Sequence, residues 1–284
     1  MPELPEVETL RRGIHAAIEG HVISEIRAYR EDLRFPIPKN LTKVLTGRRL
    51  VAVGRRAKYL LWQFEHGWTL LMHLGMSGSV RINPDSVRGK HDHLCIKTKE
   101  GVLLRYNDPR RFGYVALEPE EDLPESRFFK LLGPEPLEQE FSPCYAYTRA
   151  KNKNRSIKAL IMDQNFVVGV GNIYASEALF SAGIHPRQPA KGLDEKDWHK
   201  LVKAIKAVLN AAIQAGGSSL KDYKKSDGSL GYFQHQWSVY GRQSQPCLYC
   251  GEAIMRIVMI GRATYFCPSC QSESKNMVKV QNIQ

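Results

Sequence analysis

Apolar positions follow a helical period over residues 4–18, where Val7, Leu10, Ile14 and Ile18 fall on one face. Gly20 predicts the end of this helix. From residue 21 to about 117 the period shortens to two, in segments divided by glycines, prolines or charged residues. Short strands at this spacing indicate a sandwich or a barrel-like pair of sheets. The predicted strands cover residues 21–29, 50–64, 68–74, 94–98, 102–106 and 113–117.

Residues 118–124, which are acidic and contain a proline, and then residues 132–136 predict an exit and a linker, and beyond them the apolar period becomes helical again. Asp194 is the predicted N-cap of the longest predicted helix, and Gly216 is its predicted stop. A segment rich in Ser, Gly, Lys and Asp then predicts a loop, and a polar tail begins near Ser272. The predicted helices cover residues 156–164, 172–182 and 194–215, and the loop covers residues 218–235.

The charge of the chain favours a polyanionic partner. There are 41 Lys and Arg against 29 Asp and Glu, which gives a net charge of +12 and a pI near 9.4. Basic side chains that neutralise phosphates release condensed counterions; the alternative is a basic protein without such a partner. No apolar run reaches the roughly 20 residues that span a bilayer, and the acidic N-terminus is unlike a signal peptide. We therefore expect a cytoplasmic protein with no membrane association. We also expect a monomer, since nothing in the sequence suggests an obligate oligomer.

Four of the six cysteines form two pairs, Cys247-x2-Cys250 and Cys267-x2-Cys270, separated by sixteen residues. This spacing is typical of one tetrahedral zinc ion with no open position, and therefore of a structural site. The residues between the pairs predict a β-hairpin with Arg262 near its tip. A basic tip on a metal-held hairpin suits a DNA groove, although a lone arginine is ordinarily solvated. The isolated Cys95 and Cys144 are expected to be ordinary thiols that are buried or partly buried.

A glycine-rich turn at residues 167–174 (VVGVGNIY) precedes the second predicted helix. Asn172 can cap that helix, and backbone N–H groups at a helix start form an anion site. Because Lys153, Arg155 and Lys158 lie just upstream, the segment is typical of a phosphate clamp. The alternative is an ordinary helical hairpin with a glycine turn.

The turn at residues 105–113 carries Arg110 and Phe112 between two predicted strands. An exposed arginine beside an exposed phenylalanine suits insertion into a base stack, the ring as a wedge and the guanidinium as a hydrogen-bonding plug. Met76 is a second candidate wedge. Either apolar side chain alone is more often part of a core.

The first residues offer a nucleophile. If Met1 is removed, Pro2 presents a secondary α-amine, and α-amino groups titrate near 8, so that an unprotonated fraction can attack an electrophilic carbon. Glu3 follows directly and could transfer a proton to or from the attacked group. The alternative is a proline-rich start to a helix.

Two further basic sites stand in the strand region. Lys58, at the edge of a predicted strand, has Arg55 and Arg56 beside it, and neighbouring positive charge lowers the pKa of a lysine. The alternative is a solvated basic edge strand. Residues 90–93 (KHDH) contain two histidines. We expect a DNA contact for His91 and a structural hydrogen bond for His93, not a metal site.

Together these stretches closely resemble the formamidopyrimidine-DNA glycosylase family, the bacterial oxidised-purine repair enzymes. The resemblance runs from residue 1 to about 271. It rests on the four cysteines and on residues 2–9 (PELPEVET), 55–60 (RRAKYL), 73–78 (HLGMSG), 108–113 (DPRRFG), 132–137 (LGPEPL), 168–177 (VGVGNIYASE), 182–186 (AGIHP) and 226–232 (SDGSLGY).

The resemblance implies an α+β fold: an N-terminal two-layer β-sandwich with a flanking helix, a helix-two-turn-helix domain and a β-hairpin zinc finger. The implied boundaries are a catalytic domain at 1–132, a helical DNA-binding domain at 133–236, a zinc finger at 237–271 and a tail at 272–284. It also implies one structural Zn2+ and, as partner, double-stranded DNA that contains oxidised bases.

The implied activity is removal of 8-oxoguanine and formamidopyrimidines, followed by β,δ-elimination at the abasic site. Pro2 would form the Schiff base, Glu3 would act as acid and base, Lys58 would donate a proton in β-elimination and Arg262 in δ-elimination. A loop at 218–223 would close over the lesion, and Glu6 would belong to the active-site neighbourhood. The implied DNA-binding residues are His91, Arg110 and Lys153, the phosphate ligands Lys158 and Asn172, and the gap-filling Met76, Arg110 and Phe112.

Three alternatives remain at this point. An endonuclease VIII-like enzyme would take oxidised pyrimidines by the same mechanism, although Leu4 and the motifs at 73–78 and 108–113 favour the purine enzyme. A non-catalytic damage sensor would require loss of Pro2, Glu3 or Lys58, and all three are present. The third alternative is a zinc-ribbon protein that binds RNA, but nothing in this sequence supplies an aromatic stacking surface of the RNA-binding type.

Overall fold

A computed structural model describes residues 2–83, 87–217 and 237–272. The described residues form two compact units, one within residues 1–130 and 212–234 and the other within residues 131–211 and 235–284. The predicted loop at 218–235, its segment 218–223, the motif at 226–232 and the tail from 273 onwards lie outside the described residues.

The first unit contains two antiparallel four-stranded sheets and the first helix. The sheet orders are β1-β6-β7-β5 and β2-β3-β4-β8, and all pairs are antiparallel. The elements are α1 (Leu4–Ile18), β1 (Ile23–Ala28), α2 (Leu41–Leu45), β2 (Leu50–Arg56), β3 (Tyr59–Phe64), β4 (Trp68–His73), β5 (Ser79–Ile82), β6 (Asp92–Thr98), β7 (Leu103–Asn107), β8 (Tyr114–Pro119) and a 3-10 helix (Glu120–Glu125).

One core joins the helix and both sheets. The apolar stripe of α1 packs with Leu60 and Trp62 of one sheet and Leu94 and Leu104 of the other, all almost fully buried. Each such side chain stabilises the fold by about 1.5–3 kcal/mol on burial. The period-two alternation is seen along β3, where Leu60 and Trp62 are buried and the residues that alternate with them, Tyr59 and Leu61, are half-buried. The predicted sandwich with its flanking helix is therefore confirmed.

The described part of the second unit consists of helices followed by a β-hairpin. Its elements are α3 (Pro143–Ala150), α4 (Ile157–Ile161), α5 (Asn172–Ala182), a 3-10 helix (Ala190–Gly192), α6 (Glu195–Gln214), which runs into the first unit at residue 212, and the antiparallel strands β9 (Met255–Met259) and β10 (Arg262–Phe266). Asp194 begins α6 as predicted, because its carboxylate accepts from the N–H of Asp197 at 2.8 Å. The α+β architecture is confirmed.

Several sequence predictions were wrong in detail. Residues 50–64 form two strands joined by a tight turn, not one strand. The strand β5 and the helices α2 and α3 were not predicted. Cys95 is buried as expected, but Cys144 is exposed because it lies on the outer side of the short helix α3. Among the described residues, no helix has the length and apolar content needed to cross a bilayer.

Candidate active site and DNA interface

The N-terminus of α1 buries the candidate nucleophile together with two carboxylic acids. Pro2 is buried, Glu3 is the N-cap residue and is 2% exposed, and Glu6 is fully buried. The Glu6 carboxylate accepts from the backbone N–H of Glu3 at 2.8 Å, an arrangement that satisfies a donor at a helix start. The helix-start interpretation is therefore true of this segment, and it places the acid of Glu3 next to Pro2 in the chain and away from bulk water.

Lys58 lies in the two-residue turn between β2 and β3, not at the edge of a strand as predicted. The turn forms because Ala57 adopts φ +53. The Arg55 guanidinium donates to the Ala57 carbonyl at 2.9 Å and contacts the Glu8 carboxylate on α1 at 3.3 Å. These bonds connect the Lys58 turn to the helix that carries Glu3.

The Glu8 carboxylate pairs with three arginines, Arg11 and Arg12 on α1 and Arg55 on β2. Burial raises its pKa, but hydrogen bonds from Arg11 and Arg12, and the charges of Arg11 and Arg55, outweigh that effect and lower the pKa below 4.5. Arg11 also donates to the Val53 carbonyl at 3.1 Å. Glu8 therefore stays ionised at neutral pH and holds α1 against β2.

His73, at the end of β4, is a site residue to which the sequence reasoning gave no role. Burial first, and then the charges of Lys58 and Arg34, lower its pKa to about 4. Its Nδ1 accepts from the Gly75 N–H at 3.0 Å, so the proton of the neutral ring sits on Nε2. Its position in the HLGMSG motif, three residues before Met76, was the available signal.

The three candidate wedge residues are exposed on two neighbouring turns. Met76 is 36% exposed and Phe112 is 44% exposed, so the core alternative is wrong for both. The Arg110 guanidinium lies 4.9 Å from the centre of the Phe112 ring. His91 is half-buried just before β6, whereas His93 is buried and bonds the Asp108 carbonyl at 2.8 Å, which confirms its structural role.

In the second unit, Asn172 occupies the start of α5 but does not cap it. Gly171 is the N-cap residue, and the Asn172 amide instead donates to the Ala263 carbonyl on β10 at 2.9 Å. Its oxygen accepts from the Lys158 ammonium at 2.7 Å, which also donates to Thr264 at 2.6 Å. The predicted N-cap is therefore wrong, because a long-range partner takes the side chain.

Lys158 is 1% exposed, so its ammonium acts inside the unit and orders α4, α5 and the hairpin around one point. Arg262, the first residue of β10, is exposed and lies two residues before Thr264 in the same strand. Lys153 is exposed just before α4. The sequence reasoning missed Thr264, because a threonine in a strand gives no functional signal.

Glu177 on α5 is a third residue, after His73 and Thr264, to which the sequence reasoning gave no role. Its buried carboxylate accepts from the backbone N–H groups of Ser238, Val239 and Tyr240 at 2.8–3.0 Å. Burial raises its pKa, and the three hydrogen bonds oppose that rise. One carboxylate therefore fixes the segment that leads into the zinc hairpin.

The four cysteines converge at one end of the hairpin. Their sulfurs all lie within 4.8 Å of one another, with Cys250 to Cys267 at 3.4 Å and Cys247 to Cys270 at 3.9 Å. Tetrahedral Zn–S bonds of about 2.3 Å require sulfurs roughly 3.8 Å apart, so the set fits one zinc ion. Four protein ligands leave no open position, so the zinc site is structural.

The first unit thus holds Pro2, Glu3, Lys58, Met76, His91, Arg110 and Phe112, and the second holds Lys153, Lys158, Asn172, Arg262 and the four cysteines.

Three family domains match this arrangement in order. Residues 1–115 match the formamidopyrimidine-DNA glycosylase N-terminal domain, residues 132–224 its H2TH domain and residues 244–272 the zinc finger found in FPG and IleRS. The chain belongs to the formamidopyrimidine-DNA glycosylase family.

Individual relatives of the family agree over almost the whole chain. The formamidopyrimidine-DNA glycosylase of Azorhizobium caulinodans is 46% identical over 95% of this chain and 100% of its own length. That of Hydrogenovibrio crunogenus is 45% identical over 99% of this chain and 100% of its own length.

A solved structure supports the same fold. Lactococcus lactis Fpg, in complex with DNA containing an abasic site, matches with a TM-score of 0.89 and 36% identity over 96% of this chain and 100% of that chain. The same protein has been solved with Fapy-dG DNA, as a point mutant, and with oxidised-pyrimidine DNA. A related MutM has been solved with DNA containing carbocyclic 8-oxo-G.

Proposed function

We propose that this chain is a bifunctional DNA glycosylase that removes oxidised purines, 8-oxoguanine and formamidopyrimidines, and then cleaves the abasic site. The observation that carries the proposal is the match of all three family domains, in order, from residue 1 to residue 272. The relatives bound to Fapy-dG and 8-oxo-G DNA support the purine substrate.

The proposed reaction begins at Pro2 after Met1 is removed. Its nitrogen bonds to C1′ of the damaged nucleotide, the glycosidic bond breaks, and the base leaves with the bonding electrons and a proton. Glu3 protonates the sugar-ring oxygen as the ring opens, which yields an iminium at C1′. The burial of Glu3 at the start of α1 supports this role, because a carboxylic acid out of water is set up for proton transfer.

Strand cleavage follows from the iminium. It makes the C2′ proton acidic, and loss of that proton expels the 3′ phosphate. A second elimination expels the 5′ phosphate, and water then releases Pro2. In this scheme Lys58 donates a proton during the first elimination and Arg262 during the second. The Arg55 contacts that fix the Lys58 turn to α1 support the first assignment.

DNA contacts are assigned by position and exposure. His91, Arg110 and exposed Lys153 would contact the duplex, and Met76, Arg110 and Phe112 would occupy the gap left by the extruded nucleotide. Asn172 would hold a flanking phosphate. Buried Lys158 would act on that phosphate chiefly by orienting Asn172. We further propose that the protein acts as a monomer on double-stranded DNA in the bacterial cytoplasm.

The deciding experiment is borohydride trapping on a duplex with 8-oxoguanine opposite cytosine. Borohydride reduces an iminium to a stable amine, so we expect a covalent adduct whose attachment maps to Pro2 by peptide sequencing. Pro2→Gly should still bind this duplex but lose most cleavage; full cleavage by that variant would remove Pro2 from the mechanism.

A second candidate function is removal of oxidised pyrimidines, which the L. lactis complex with oxidised-pyrimidine DNA favours. The same trapping reaction on a 5-hydroxycytosine duplex distinguishes the two. An adduct there and none on the 8-oxoguanine duplex would move the substrate class to pyrimidines.

A further inference from the structure

Asp108 is a fully buried acid beneath the wedge turns. One carboxylate oxygen accepts from the Ser77 hydroxyl at 2.6 Å and from the Arg110 N–H at 3.3 Å. The other accepts from the Gly113 N–H at 2.8 Å and from the Tyr106 hydroxyl at 3.3 Å. A single carboxylate therefore bonds both turns that carry the wedge side chains, and a strand beside them.

The main chain of Asp108 is fixed as well. Its N–H donates to the His91 carbonyl at 3.0 Å, and its carbonyl accepts from the buried His93 ring at 2.8 Å. Ser77 completes the network, because its hydroxyl also accepts from the Arg110 N–H at 3.2 Å. The backbone from which the Arg110 side chain projects is therefore set by two acceptors.

Glycines bring the two turns into backbone contact. Gly75 has φ +61, and a Cβ there would lie 2.3 Å from the Gly113 nitrogen and from the Phe112 carbonyl carbon. A Cβ on Gly113 would lie 1.9 Å from the Tyr106 hydroxyl oxygen. Such distances are far below van der Waals contact, so the backbones of the two turns meet too closely to admit a side chain at Gly75.

We propose that Asp108 is a positioning residue that locks turns 74–78 and 108–113 into one rigid wedge. The inference rests on the proposed function, since it concerns how that enzyme extrudes its damaged base. Met76, Arg110 and Phe112 then enter the base stack already ordered. Ordering flexible side chains and loops on binding weakens association, and extrusion must also offset the loss of stacking and pairing.

This role separates two substrates of the same enzyme. A damaged base has to be unstacked and extruded before chemistry, which requires the wedge. A preformed abasic site has no base to extrude, so its cleavage depends far less on the wedge. Loosening the Asp108 network should therefore slow excision of a damaged base much more than cleavage of an abasic site.

The test compares Asp108→Asn and Ser77→Ala with the wild-type chain. Asparagine keeps the shape of Asp108, but its NH2 group must face the N–H of either Arg110 or Gly113. Ser77→Ala removes only the hydroxyl that joins Asp108 to Arg110. Ser79→Ala, a partly exposed serine on β5, is the matched control. Single-turnover rates are measured on an 8-oxoguanine duplex and on an abasic-site duplex, with circular dichroism to confirm folding.

For Ser77→Ala we expect about a fivefold loss on the damaged-base duplex, and for Asp108→Asn about thirtyfold or more, from the usual cost of one or several lost hydrogen bonds. Both should stay within about twofold of wild type on the abasic duplex, as Ser79→Ala should on both. Equal losses on the two duplexes, or none on either, would overturn the proposal. If Asp108→Asn does not fold, Ser77→Ala decides by the same criteria.

The failure of the proposed function would look different. A wild-type chain that excises an oxidised pyrimidine but no 8-oxoguanine would refute the proposed substrate. The rate comparison between variants would then use that pyrimidine duplex, and a selective loss there would still support the wedge.

Discussion

The titration of His73 makes a specific prediction about acid stability. The folded chain disfavours the charged ring, since burial and the charges of Lys58 and Arg34 lower its pKa to about 4. Protonation would also turn Nδ1 into a donor facing the Gly75 N–H. The unfolded chain has no such obstacle and takes up the proton near the ordinary value of 6.5.

The sign follows from proton linkage. Because the unfolded state binds the proton more readily, the contribution of His73 to stability is complete above about pH 6.5, declines as the pH falls towards 4 and levels off below. The interval from about 6.5 to about 4, at roughly 1.4 kcal/mol per pH unit, amounts to about 3 kcal/mol. This is a large share of the stability of an ordinary domain.

Hydrogen exchange of peptides from β3 and β4, corrected for the intrinsic exchange rate at each pH, measures this local stability. We expect the opening free energy to fall by about 3 kcal/mol between pH 7 and pH 4 in the wild-type chain, and by clearly less in His73→Asn. His66→Asn, at an exposed turn with φ +63, is the control and should follow wild type. Identical pH slopes for wild type and His73→Asn would refute the reasoning.

Three further outcomes are expected. Cys250→Ala should lose zinc and DNA binding together, measured by metal analysis and by titration with labelled duplex, because the metal organises the hairpin; a zinc-free chain with normal affinity would contradict this. Thr264→Val should destabilise the second unit by about 1–3 kcal/mol in urea unfolding, since it leaves the buried Lys158 ammonium without one acceptor, whereas Thr264→Ser should restore most of the loss. Gly75→Ala should cost several kcal/mol, on the order of 3, in the same measurement, because both its φ and the backbone of Phe112 oppose a Cβ; a loss below about 1 kcal/mol would show that the turns can move apart.

Local signals in the sequence were sufficient for the regular elements. The predicted helix over residues 4–18 is α1 itself, because its apolar stripe, its early prolines and Gly20 all agree. The zinc ligands followed from spacing alone, since two short Cys-x2-Cys turns have few other uses. The exposed wedge could be inferred because Arg110 and Phe112 stand together in a turn.

The remaining features depend on partners far away in the chain. Asn172 bonds Ala263, 91 positions later, in preference to capping its own helix, and nothing near residue 172 shows this. Strand β5 is only four residues long and carries one buried side chain, Val80, so its alternation is too brief to detect. The importance of Asp108 was hidden because a polar residue in a turn is expected to be solvated.

The turn that presents Lys58 also limits how this protein can change. An alanine at φ +53 costs about 1–2 kcal/mol relative to ordinary backbone, a cost that glycine would avoid. Glycine at position 57 would, however, give the turn more freedom and remove the methyl group of a buried residue, since Ala57 is only 1% exposed. Selection for thermal stability alone could therefore relax this strain and leave the Lys58 side chain less well oriented. Screens of heat-resistant variants should therefore measure the rate of strand cleavage as well as the melting temperature.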